Sequence, residues 1–232
     1  MYYYSTFSFI GYGLIIIAFI VTLAADIYLR TRYSKYKKVK AKSGKTGAEA
    51  AREILAKNGL DNVYVVETKG YLTDHYDPSQ KVVRLSTDIY HGTSIASVAV
   101  AAHECGHAIQ DKEGYSYMRF RSAIIPFVNF GTKFGYIAVL VGLIFGATNV
   151  AWIGVGLLLT MLLFQLVTLP VELNASKRAK SLLVKEGIIT SQERKDASNM
   201  LTAAALTYVA SLISTIFDLL RLVLIIMGND RD

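Results

Sequence analysis

Across 232 residues the chain holds one cysteine and four histidines, so chemistry that depends on either has few places to sit. A lone Cys105 cannot close an internal disulfide, which excludes a disulfide-stapled scaffold and agrees with reducing surroundings. It also argues against a cysteine-rich structural metal knuckle. Charge is missing where a cleaved signal peptide would need it: no basic residue precedes the first apolar run, which opens after Met1-Tyr2-Tyr3-Tyr4. Repeats and low-complexity tracts are lacking too. The net charge of +7 comes mostly from one cluster, Arg30, Arg32, Lys35, Lys37, Lys38 and Lys40. Without a basic face and a reading element, that cluster implies no nucleic-acid partner and fits the anionic cytoplasmic leaflet of a bilayer.

What is abundant is apolar surface, 53% of the residues, concentrated in long runs. Residues 7–29 are long enough to span about 30 Å of hydrocarbon as a transmembrane helix. The basic cluster that follows sets the orientation, N-terminus outside and residues 30–122 in the cytoplasm, and the opening tyrosines suit the membrane interface. Residues 123–171 form two further apolar runs, with Thr148-Asn149 as the tight turn of a helical hairpin. Arg119 and Arg121 before it, and Lys177, Arg178 and Lys180 after it, place both ends in the cytoplasm. Residues 172–199 are polar and helical. Residues 201–227 form a last segment, transmembrane or interfacial, in which Asp218 and Arg221 stand three apart and can pair.

Within the cytoplasmic part, His103-Glu104-Cys105-Gly106-His107 has the H-E-x-x-H spacing. On a helix, two imidazoles four apart share a face and can hold one metal ion, while the adjacent carboxylate stays free to take a proton from water. Ser94 supplies an N-cap, and Ile95 to Ala102 an apolar helix body. The bland alternative is a pair of core histidines beside an accidental glutamate. Polar groups in an apolar helix need partners, however, and a metal would satisfy all of them. Upstream, residues 47–58 read as a short amphipathic helix and Val63 to Val66 as a strand. Asp74-His75-Tyr76-Asp77-Pro78 reads as a turn and Lys81 to Ser86 as a second strand, together a small α+β unit.

Catalytic zinc usually takes three protein ligands and a water. No histidine follows His107, which excludes the metzincin extension and leaves His75, His91 or a distant carboxylate. Glu172, at the mouth of the third apolar run, is such a carboxylate. By spacing alone it reads equally as a solvated helix-end residue near Lys177 and Arg178.

Four blocks in order, Asp74 to Pro78, Val83 to Ser86, Ala101 to Gln110 and Leu169 to Ser176, resemble the YugP-type neutral zinc metallopeptidases of bacterial membranes. The resemblance covers nearly the whole chain. It implies a multi-pass bacterial membrane protein, and with the segments above a fold class: an α-helical integral membrane protein with about four membrane segments and a small α+β, zincin-like cytoplasmic domain. More distantly, Glu172-Leu173-Asn174-Ala175 is similar to the second zinc motif of HtpX-like and CAAX-processing membrane gluzincins. That likeness implies Glu172 as third ligand beside His103 and His107. In those families an Asp usually follows the Ala; here Ser176 does, which puts a supporting carboxylate at that point in doubt.

The expected reaction is peptide-bond hydrolysis by a water activated on one Zn²⁺ per chain, with Glu104 as general base. His75, Tyr76 and His91 are candidates, by type only, for contacts to substrate or oxyanion. Asp77 is expected to cap its turn, and Asp74 to do the same or to orient a metal-bound histidine. Cys105 points off the metal face and is assigned no chemistry; Gly106 lets another backbone pack close. The expected substrates are membrane or membrane-proximal polypeptides, cut on the cytoplasmic side, with any regulatory membrane partner unassigned. The competing class is a non-enzymatic membrane protein that uses the metal for structure, sensing or docking. A metal transporter ranks lower, because the apolar runs carry almost no ligands.

Overall fold

The computed structural model describes residues 2–229, with side chains described from Phe9 onward. The tyrosines expected at the membrane interface, Tyr2 to Tyr4, therefore have side chains outside the described residues. The element order is α1 (Tyr2–Lys37), α2 (Gly47–Lys57), β1 (Tyr64–Thr68), β2 (His75–Asp77), β3 (Val82–Ser86), α3 (Thr87–His91), α4 (Ile95–Lys112), α5 (Ser116–Ile144), α6 (Thr148–Lys185) and α7 (Arg194–Asn229). Four of these helices, α1, α5, α6 and α7, are long and apolar enough to cross a membrane. With these helices and a three-stranded sheet, the chain is an α-helical membrane protein carrying a small α+β domain.

The chain forms two compact units. One comprises residues up to Asp26, Phe120–Leu169 and those from Thr207 on. Its core is aliphatic, built on Val139, Val155, Leu158, Leu219, Leu222 and Ile226. The pairing of Asp218 with Arg221 is present at 2.9 Å, and Tyr136 donates its hydroxyl to the same carboxylate at 2.7 Å. Both charges are thereby neutralised within one cluster, as an apolar environment requires. The turn between α5 and α6 is not at Thr148-Asn149. Thr148 already opens α6, and the chain reverses over residues 145–147, where Gly146 takes φ +66°. A left-handed backbone is cheap only for glycine, so the reversal falls there.

The second unit, Ile27–Arg119 with Pro170–Leu206, holds the sheet and the H-E-x-x-H helix. In the sheet β3 is central, parallel to β1 and antiparallel to β2. The Asp74–Pro78 block is thus partly strand. Tyr76 pairs with Val83 and turns its ring inward, while His75 points out, an alternation that the polar composition hides. The turn comes next, capped by Asp77, whose Oδ1 accepts from the backbone N–H groups of Ser79 and Gln80. Asp74 caps nothing in that turn. It accepts from the backbone N–H and hydroxyl of Ser86, tying β3 to the segment before β2.

Helix α2 starts at a reciprocal Thr46–Glu49 capping box, and α4 at Ser94, whose hydroxyl accepts from the Ser97 N–H. From Ile95 to Gln110, α4 is buried on nearly every face; only Val100 and His103 are even partly open. A helix buried all round belongs at the centre of a unit, and its alanines (Ala96, Ala99, Ala102) let neighbours approach.

Candidate metal centre

Two elements build the site, α4 with His103 and His107, and the polar continuation of α6 with Glu172. Gly106 sets their separation: a Cβ there would lie 2.8 Å from the Ala175 carbonyl oxygen. Helix α6 therefore rests on the one position of the motif that has no side chain, and Glu172, one turn before Ala175, reaches both imidazoles. Gly106→Ala is expected to cost about 1–3 kcal/mol through overpacking and to weaken metal uptake by pushing α6 away. Thermal unfolding in detergent, with and without zinc, checks both effects.

Glu172 Oε2 lies 3.2 Å from His103 Nε2 and 3.4 Å from His107 Nε2. One ligand atom from each residue lies within 4.8 Å of the others, and among the described residues no other such group of His, Cys, Asp and Glu occurs. Ligand atoms about 2.0–2.1 Å from a tetrahedral ion stand about 3.3–3.4 Å apart, so the carboxylate–imidazole edges match such an ion. The three side chains are only 13%, 10% and 3% exposed, in the order His103, His107, Glu172.

The charges point the same way. His107 Nδ1 lies 2.9 Å from Gln110 Oε1, and His103 Nδ1 lies 3.2 Å from Ser176 Oγ. With hydrogens on both Nδ1 atoms, both Nε2 lone pairs face one carboxylate oxygen, which needs positive charge between them. A divalent ion at that point would take both lone pairs and the carboxylate oxygen at once, so the donor set fits zinc. Burial favours neutral imidazole at His107, but the Glu172 and Glu104 carboxylates outweigh it and raise the pKa of that side chain.

Glu104 stands beside the triad without belonging to it. The residue is 7% exposed, and burial pushes its pKa above the ordinary carboxylate range despite the flanking histidines. Cys105 is fully buried against the Ala51 carbonyl, and burial pushes its thiol up, away from the reactive thiolate.

The other sequence candidates sit elsewhere. His75 is exposed with Nδ1 2.8 Å from the Thr73 carbonyl, and His91, exposed on α3, faces Glu67. Tyr76 donates to Asp111 Oδ2 at 2.7 Å, and Lys81 pairs with the same carboxylate, so this trio pins β2 to α4. Gln110 and Ser176, which contact the far nitrogens of the two histidines, had only weak signals. One is a polar residue three positions after His107; the other directly follows Ala175.

Residues 12–227 match the model of a family described as "Putative neutral zinc metallopeptidase". The chain belongs to that family. It is also 47% identical over 208 residues to the "Putative membrane protease YugP" of Bacillus subtilis (strain 168), covering 90% of this chain and 92% of that one. No solved structure matches. Membership of a zinc metallopeptidase family agrees with the donor set assembled here. The apolar helices agree with a relative named as a membrane protease.

Proposed function

We propose that this chain is a membrane-bound zinc endopeptidase that cuts membrane or membrane-proximal polypeptides at the cytoplasmic face. His103, His107 and Glu172 hold one Zn²⁺, and Glu104 is the general base. The observation that carries this reading is the convergence of two imidazole nitrogens and one carboxylate oxygen beside a second, buried carboxylate. A closed structural site would show a fourth protein ligand; three ligands leave a position open.

When bound, the zinc supplies Lewis acidity, lowering the pKa of a water toward about 7 and polarising the scissile carbonyl. Glu104 takes a proton from that water as its oxygen bonds to the carbonyl carbon. The carbon–nitrogen bond then breaks, and Glu104 returns the proton to the departing amine, leaving one new amine and one new carboxylic acid, which loses its own proton to solvent. An upward shift of Glu104 brings its proton affinity nearer to neutral pH, where such shuttling is efficient. Gln110 and Ser176 orient the two imidazoles from behind. The basic residues from Arg30 to Lys40 favour the cytoplasmic side for the unit that carries the site.

Metal removal tests this directly. Detergent-purified protein is expected to carry about one zinc per chain and to cleave an unfolded model protein or membrane-protein mixture. Chelation should abolish cleavage, and added zinc should restore it. Zinc bound with no chelator-sensitive cleavage would move the site to a docking or sensing role.

A further inference from the structure

Gln110 lies on the same face of α4 as His107, and it is fully buried. A buried carboxamide must satisfy its oxygen and both N–H groups, and this one does so in a single arrangement. Its Nε2 donates to the Val171 carbonyl at 2.9 Å and to Asn174 Oδ1 at 2.9 Å. Its Oε1 faces His107 Nδ1 at 2.9 Å.

The amide cannot be turned round. The Val171 carbonyl can only accept. Asn174 Oδ1 is itself held by the Arg178 Nε–H at 2.7 Å, a group that can only donate. Both of these neighbours therefore require N–H from Gln110, and its oxygen is left for His107. His107 must then place its hydrogen on Nδ1, which leaves Nε2 bare toward Glu172. Arg178 is fixed in turn by a two-pronged ion pair to Glu113, just past the end of α4, at 2.9 and 2.6 Å.

We propose that Gln110 is the positioning residue that couples the two halves of the metal centre. It fixes the tautomer of one ligand, His107, and binds the backbone carbonyl immediately before another, Glu172. The chain Glu113–Arg178–Asn174 keeps its amide from flipping. The inference rests on the zinc reading above and deepens it: ligand chemistry on α4 and ligand position on α6 depend on one side chain. Ser176 does only half of this, since its hydroxyl faces His103 from the same helix that carries Glu172.

The test uses detergent-purified full-length protein and two readouts other than cleavage. One is zinc affinity by competition with a chromophoric chelator; the other is the visible spectrum of the Co²⁺-substituted site. Gln110→Met keeps the volume and removes every bond. It is expected to weaken zinc binding about 10- to 100-fold and to alter the cobalt bands. Asn174→Leu should weaken binding in the same direction by less, because the amide keeps one anchor. Asn174→Asp should restore it, since an oxygen still faces both Gln110 and Arg178.

Zinc affinity and cobalt spectrum unchanged in Gln110→Met would overturn the proposal, even if the melting temperature fell. If Gln110→Met does not fold, equal zinc affinity in the two Asn174 variants would overturn it. Wild type that takes up no zinc, or Glu172→Ala that takes up as much as wild type, would remove the zinc reading itself and this inference with it.

Discussion

Glu104→Gln protein is expected to bind as much zinc as wild type and to cleave about 10²- to 10⁴-fold more slowly, the usual contribution of a positioned general base. The substitution keeps the shape of a residue that is 7% exposed, so packing of α4 is preserved. It leaves His103, His107 and Glu172 untouched, and Glu104 is no member of the group whose ligand atoms converge. What changes is proton affinity: an amide oxygen cannot hold the proton of water through the bond-breaking step. Metal analysis beside a cleavage assay separates the roles. Equal zinc with lost turnover identifies a base. Lost zinc would make Glu104 part of the coordination sphere, and unchanged turnover would transfer the proton step to another group. A further consequence is a shift in stability. Burial raises the Glu104 pKa above its unfolded value, so its folded state prefers the proton, and ionising it as pH rises destabilises the fold. Replacing it with a neutral amide should flatten that loss above the ordinary carboxylate range, seen as a smaller fall in the apo protein's melting temperature with rising pH.

The parts of this molecule that were legible in sequence are those written in local periodicity. His103 and His107 are four apart on a helix, and Ser94 caps it; both facts are contained within one element. The apolar runs likewise announce helices by length alone. Tertiary pairing is a different matter. Asp74-His75-Tyr76-Asp77-Pro78 reads as a turn because its composition is polar. Its middle is an edge strand because β3 offers an open side and Tyr76 finds Asp111 on α4. Thr148-Asn149 reads as the hairpin turn, although a helix can begin on those residues while Gly146 alone takes the left-handed backbone easily. Glu172 lies 69 positions beyond His103, and spacing left it no better than a solvated helix end. Resemblance singled it out, and the contact of Gly106 with Ala175 is the packing that brings it near. Gln110 stayed hidden for the same reason, since its meaning depends on Val171 and Asn174 from another helix.

Glu172→Ala is the more severe test, because it is expected to abolish tight zinc binding and cleavage together. Losing one of three protein ligands should exceed the roughly 10- to 100-fold loss typical of a mere orienting partner. The energetics also predict an asymmetry between the apo and metal-bound proteins. Without metal, wild type buries a carboxylate, 3% exposed, against two imidazoles that must supply a proton to balance it. Removing that carboxylate relieves the requirement, so the apo variant should lose little stability beyond the cavity it creates. The metal-bound protein loses much more. A ligand that binds only the folded state stabilises by RT ln(1 + [L]/Kd), about 4 kcal/mol at a thousandfold excess over Kd. Wild type should therefore melt at clearly higher temperature with zinc than with chelator, and in Glu172→Ala the two curves should coincide. Full zinc content in the variant would instead require a replacement ligand. His75 and His91 are both exposed, one facing the Thr73 carbonyl and the other Glu67, so each would have to leave its partner to serve. Double variants of Glu172 with each histidine would reveal that movement by losing the metal that the single variant kept.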